Sequence, residues 1–129
     1  MAAPPNCRFT KTHEWAALDG DTATVGITDF AVELLSDLVY VDLPKVGRKV
    51  TAGEPFGEIE SVKHVSDLYS PVTGEVVAVN APLADKLEWL SNDPFGQGWM
   101  IKVKVAGPQA VGGLLDAAAY EAHCQSEGH

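Results

Sequence analysis

Two stretches of alternating sequence meet at a single lysine, and that junction limits the folds open to this chain. Phe56-Gly57-Glu58-Ile59-Glu60-Ser61-Val62 runs into Lys63, and Val65-Ser66-Asp67-Leu68-Tyr69-Ser70-Pro71-Val72 leads away from it. Alternation with a period near two predicts a strand on each side. Lys63 then lies at or beside the tip of a hairpin, solvated and within reach of another protein. Glu58, Glu60 and Asp67 crowd the same neighbourhood. Nearby carboxylates favour a charged ammonium, whereas a catalytic amine needs burial or cationic neighbours. The pattern is that of a lysine displayed for modification, or of an ordinary solvated lysine on a turn.

The rest of the chain also reads mainly as strands. Residues 9–18 are predicted to hold a strand with Trp15 inward. Asp19-Gly20-Asp21 makes a hairpin turn, and residues 22–27 return with Ala23, Val25 and Ile27 on one face. Thr28 is placed to N-cap a helix over 29–35, with Asp29 and Glu33 toward its positive end. Phe30, Leu34 and Leu35 would form its apolar side. Residues 37–43 are apolar on both faces, as in a strand buried on two sides. Pro44-Lys45-Val46-Gly47-Arg48-Lys49-Val50 is echoed by Pro71-Val72-Thr73-Gly74-Glu75-Val76-Val77, each turning the chain before a valine. A short helix or turn is expected over 84–90 and a loop over 91–94. Residues 99–105 should form a strand with Trp99, Ile101, Val103 and Val105 on one side. Leu114, Leu115 and residues 117–122 read as C-terminal helix, with Asp116 able to cap the second piece. The expected division is a flexible tail over 1–7, a single domain over 8–125 and a frayed end over 126–129.

Several function classes fall away. At 129 residues the chain fits one domain with one core. A formal charge of −9 argues against nucleic acid, which needs a basic surface. No stretch approaches the roughly 18 apolar residues of a membrane span. Cys7 and Cys124 lie near opposite ends and lack metal-type spacing. Thiols in a reducing compartment are expected, with a bridge between the termini as the alternative. His13, His64, His123 and His129 contain no close-spaced ligand pair, so no metal is expected. Residues 1–6 lack the layout of a secretory signal, which fits a bacterial cytoplasmic protein or a mitochondrial matrix protein without its leader. No phosphate-binding loop, nucleophile elbow or Ser/His/Asp arrangement is present. His13 and Glu14 read as ordinary surface groups, and Asp67 as a cap for the hairpin turn. The chain looks like a carrier rather than a catalyst.

Glu60-Ser61-Val62-Lys63, followed by Ser66-Asp67-Leu68-Tyr69-Ser70-Pro71-Val72-Thr73-Gly74-Glu75-Val76-Val77, resembles the lipoyl-attachment segment of the glycine cleavage system H protein family. Lys11-Thr12-His13-Glu14-Trp15, Asp37-Leu38-Val39-Tyr40-Val41-Asp42-Leu43-Pro44 and Asn92-Asp93-Pro94-Phe95-Gly96-Gln97-Gly98-Trp99 resemble the same family, so the likeness spans about residues 9–120. The resemblance implies a mainly β, lipoyl-domain-like sandwich (a barrel-sandwich hybrid) of two half-motifs about a pseudo-twofold axis. A short helix would follow the first hairpin and another would end the chain. It implies lipoate in amide linkage on Lys63, with Glu60, Ser61, Val62 and Asp67 recognised around the attachment site. Glu14 would help to shelter the loaded arm. The implied role is a non-catalytic, monomeric carrier in glycine catabolism and one-carbon metabolism. It would take an aminomethyl group from a pyridoxal-phosphate glycine decarboxylase (the P protein) to a tetrahydrofolate-dependent aminomethyltransferase (the T protein). Its dithiol would then pass to a flavin, NAD-linked dihydrolipoyl dehydrogenase (the L protein). A lipoyl-attaching enzyme would be a further partner. His64, Val32, Leu34 and Ser36 depart from residues usual in the family. A biotin acceptor resembles Met-Lys-Met, and a 2-oxoacid dehydrogenase lipoyl domain Asp-Lys-Ala, neither of which stands at Lys63. An H-like protein relaying lipoyl groups or serving another redox system would share the motif. An unmodified binding module would leave Lys63 dispensable.

Overall fold

The computed structural model describes residues 6–127. The chain opens with β1 (Cys7–Phe9) and β2 (Glu14–Asp19). The single strand expected over 9–18 is thus two. Between them the chain turns back, with the His13 amide donating to the Thr10 carbonyl at 3.2 Å and His13 at φ 75°. Cys7, placed by composition in the tail, is buried in the first strand. Gly20, at φ 64°, makes the turn into β3 (Thr22–Ile27), where Ala23, Val25 and Ile27 are buried as expected.

Thr28 caps α1 (Asp29–Leu35): its Oγ1 accepts from the Ala31 amide at 3.2 Å. The buried face of α1 differs from the expected one. Ala31 and Val32 pack into the core, while Leu34 is 60% exposed. Of the expected apolar side, Leu35 does pack against the core and Phe30 lies on the His13 ring with centroids 4.7 Å apart, so only Leu34 turns outward. β4 (Leu38–Asp42) also departs from expectation. It is the edge strand of a three-stranded sheet, β4-β6-β7, and a register shift between Leu38 and Tyr40 leaves Val39 and Tyr40 about half exposed. Apolar character on both faces here reflects a bulged edge, not burial on two sides.

β5 (Lys49–Val50), β6 (Pro55–Ser61), β7 (Val65–Tyr69) and β8 (Gly74–Val79) follow. The two Pro-x-x-Gly motifs meet each other. Lys49 pairs with Glu75 and Val50 with Gly74, flanked by hydrogen bonds from Gly47 N to Val76 O and from Val76 N to Arg48 O. Equivalent positions of the two motifs exchange partners, which is the contact a local twofold produces. The short helix or turn expected over 84–90 is a 3₁₀ turn over Ala81–Asp85 followed by α2 (Glu88–Asn92), which also takes in half of the loop expected at 91–94. β9 is Ile101–Lys104, shorter than the predicted 99–105. Trp99 instead joins a second cluster, with Lys102 Nζ 5.2 Å from its ring centre.

The larger sheet runs β1-β2-β3-β9-β8-β5. It packs against the smaller one through Val25, Ile59, Phe56, Leu68, Val76 and Ile101. A separate cluster of Cys7, Phe9, Trp15 and Tyr120 lies under α3 (Ala117–Glu127). Asp116 caps α3 as expected, accepting from the Ala119 amide at 2.8 Å. Leu115 is not helical: it exchanges two 2.8 Å backbone bonds with Phe9 and so anchors the helix to β1. The helix continues through 126 and 127, where fraying was expected; residues 1–5 and 128–129 of the two expected tails lie outside the described residues. The fold is the expected mainly β sandwich with one helix after the first hairpin and one at the end. No helix among the described residues is long and apolar enough to cross a membrane.

Candidate functional site

β6 and β7 run antiparallel in register, Glu58 opposite Asp67 and Glu60 opposite Val65. Ser61 and His64 close the connection. Ser61 N donates to His64 O at 2.8 Å, and the His64 amide donates to Ser61 Oγ at 3.1 Å. The Val62 amide donates to Asp37 O at 2.9 Å, which ties the tip to the segment entering β4. Val62 and Lys63 are thus exposed on a turn whose backbone is fixed from both sides. The turn is capped by Ser61, not Asp67. Asp67 lies midway along β7 and cannot reach back to the tip's amides, whereas a serine ending β6 stands beside them. Ser61→Ala is expected to lower stability by about 1 kcal/mol and to speed hydrogen exchange at the His64 amide, checked by denaturant unfolding and exchange NMR.

A cleft of about 500 Å³ opens beside the tip. One side is β7, from Ser66 to Tyr69, and the other is α1, through Ala31, Leu34 and Leu35. His64, which follows Lys63 in the chain, and Glu14 both line it. Four residues of β7 line it, a stretch of roughly 13 Å at about 3.3 Å each.

Glu14 is no ordinary surface group: it is 2% exposed. Its carboxylate accepts from Thr10 Oγ1 at 2.8 Å, from the Thr12 hydroxyl and from the Tyr69 amide at 3.2 Å. Burial pushes its pKa above the ordinary carboxylate value, and these hydrogen bonds oppose the shift without cancelling it. A carboxyl with a raised folded pKa keeps a proton that the unfolded chain has lost. Stability therefore falls as pH rises from the ordinary carboxylate pKa to the raised one, and is flat above it. Glu14→Gln is expected to lose that slope, checked by denaturant unfolding across the carboxylate pH range. His13 is also buried, with Nδ1 2.8 Å from the Tyr120 hydroxyl. Thr10, Thr12 and Tyr69 escaped the sequence reading. The only available signal was two threonines four and two residues before a glutamate, and it has meaning only once His13 turns the chain. Burial raises the Cys7 thiol to about 11, which leaves it a poor nucleophile.

Residues 7–127 match the family described as glycine cleavage H-protein. This chain belongs to that family. The glycine cleavage system H protein of Chromohalobacter salexigens is 52% identical over 125 residues, covering 96% of this chain and 95% of the relative. That of Phenylobacterium zucineum is 55% identical over 115 residues, covering 89% and 95%. The crystal structure of a glycine cleavage system H protein from Mycobacterium marinum superposes with a TM-score of 0.84 at 40% identity, over 98% of this chain and 99% of that one. The H-protein fold is therefore shared along almost the whole length. Two of the departures from the usual family residues, His64 and Leu34, line the cleft. Val32 is buried, and Ser36 ends α1 at φ 67°.

Of the residues singled out in the sequence, the fold brings Glu60, Ser61, Val62 and Lys63 to the tip. Asp67 and Glu14 line the cleft.

Proposed function

We propose that this H protein is the lipoyl-bearing carrier of the glycine cleavage system, with Lys63 as the attachment residue. The observation that supports this most is an exposed lysine on a closed turn, next in sequence to a residue lining a cleft of about 500 Å³ whose lining also includes the buried Glu14. The residues fit the group: Lys63 is an exposed amine available for an amide bond, and the cleft of about 500 Å³ has room for an extended arm. When bound, lipoate supplies a dithiolane that accepts an aminomethyl group together with two electrons. The protein's own part is to fix the base of the arm, exclude water along β7 and hold Glu14 where its carboxylate attracts a cationic amine. Glu60, Val62 and Asp67 form the surface a lipoyl-attaching enzyme would read, and the buried Ser61 sets the shape of the turn beneath it.

The partners on this reading are the P, T and L proteins, which bring pyridoxal phosphate, tetrahydrofolate and FAD with NAD. The chain itself catalyses nothing. It works as a monomer, because one arm must visit several enzymes in turn, and the bacterial cytoplasm is its expected compartment. The test is glycine–bicarbonate exchange with a P protein and the lipoylated chain. Exchange that depends on the chain supports glycine cleavage. A chain that is lipoylated yet silent in exchange, and that donates lipoyl groups to a 2-oxoacid dehydrogenase domain, would instead be a lipoyl relay.

A further inference from the structure

We propose, on the carrier reading above, that Tyr120 is a positioning residue whose hydroxyl, brought in by the C-terminal helix, holds the Thr10–Glu14 turn and the start of α1, two parts of the cleft's lining, in place beside the tip. The ring of Tyr120 stacks on Phe9, with centroids 4.6 Å apart and planes at 11°. A phenylalanine would serve that packing equally well. The hydroxyl is a separate matter, because a buried polar group is tolerated only with partners. Its oxygen lies 2.8 Å from His13 Nδ1 and 2.6 Å from Thr28 Oγ1. Burial also holds the phenol neutral by pushing its pKa up.

The partners lie in different parts of the lining, His13 in the turn before β2 and Thr28 at the start of α1, and the Thr28 amide also donates to the His13 carbonyl at 3.0 Å. His13 is one of two non-glycine residues with positive φ among the described residues. A left-handed L-residue is disfavoured by about 1–2 kcal/mol, and such conformations persist where the surroundings over-determine them. The turn His13 makes is what returns Thr10 and Thr12 to the Glu14 carboxylate. Thr28, in contrast, caps α1 through the Ala31 amide, and α1 supplies Ala31, Leu34 and Leu35 to the lining. Cys124 is a further neighbour of the hydroxyl; between Tyr120, His13 and Thr28 themselves, two proton arrangements place a bond on each side. Either Tyr120 donates to His13 and accepts from Thr28, or it accepts from His13 Nδ1–H and donates to Thr28. In both, the Thr10–Glu14 turn and the start of α1 each hold one bond to the same oxygen. Tyr120 lies outside the cleft lining, so it acts on the arm only through these two neighbours.

Tyr120→Phe removes the bonds to His13 and Thr28, together with the hydroxyl's contact to Cys124, and keeps the stacking. In the unmodified protein, amide hydrogen exchange should quicken about fivefold over residues 10–14 and 28–32, the effect of losing one hydrogen bond at each segment. Amides 61–65 at the tip should be unchanged. Lipoate incorporation at Lys63 should stay within twofold of wild type, while the aminomethyl-loaded form decays several-fold faster in the absence of T protein. Ile101→Val, a core change remote from the hydroxyl, controls for stability loss alone and should leave that decay unaltered. Thr28→Val should loosen α1 and leave the His13 bond in place, giving a smaller change. Unchanged exchange in both segments in Tyr120→Phe, or decay no faster than in Ile101→Val, would overturn the proposal. Failure of wild type to take up lipoate would instead count against the carrier reading, and the exchange experiment would still decide whether Tyr120 holds the two segments.

Discussion

Lys63→Arg is expected to fold as the parent does, to take up no lipoyl group and to reduce glycine–bicarbonate exchange to the level seen without the chain. The turn is closed by the Ser61 hydroxyl and by backbone groups of Ser61, Val62 and His64, not by the lysine side chain. Lys63 is exposed, so its replacement should move unfolding free energy by no more than about 0.5 kcal/mol. Arginine keeps the positive charge, but its delocalised, permanently protonated guanidinium is no substitute for an amine in amide formation. Charge at the tip and acylation of the tip are thereby separated. Denaturant unfolding checks the first half of the expectation and the exchange assay the second. A variant that still supported exchange would mean that another residue carries the group, or that the chain needs none.

Gly74→Ala is expected to have the largest effect on stability. A Cβ at Gly74 would lie 2.0 Å from the Lys104 carbonyl oxygen and 2.8 Å from Val103 Cγ1. Both belong to β9, which pairs with β8. A backbone oxygen in a sheet cannot swing aside as a side chain can, so β8 and β9 would have to separate. Gly74 also pairs with Val50 where the two Pro-x-x-Gly motifs meet, and the disturbance would reach that contact. The loss should be about 4 kcal/mol or more, against a total of roughly 5–15 kcal/mol for a domain of this kind. Gly57→Ala should behave similarly, since its Cβ would meet the Asp42 carbonyl oxygen at 2.2 Å. Gly113→Ala has nothing within 4 Å and should be silent. Urea unfolding of the three variants checks the ranking.

These glycines mark the limit of what could be read without coordinates. The alternation around Lys63 was enough to predict the hairpin and its exposed tip, because period-two patterning fixes both strands and the turn between them. Thr28 and Asp116 were legible as caps, since capping depends on neighbouring residues alone. Burial set by distant partners was not legible. Glu14 and His13 look like surface residues beside Trp15 until the turn at His13 and the helix bearing Tyr120 enclose them. Val39 and Tyr40 look like core until the sheet order leaves β4 at an edge with a bulge. The Pro-x-x-Gly echo was visible in the sequence. Its meaning, a contact between the two motifs, depends on β5 reaching β8 across the fold.

The most direct test of the carrier account is intact mass with peptide mapping on the wild-type chain, incubated with lipoate, ATP and a lipoyl-attaching enzyme. A single lipoyl adduct is predicted, on the peptide that contains Lys63 and on no other lysine. No adduct while a control acceptor is modified in the same mixture, or an adduct confined to a different lysine, would contradict it.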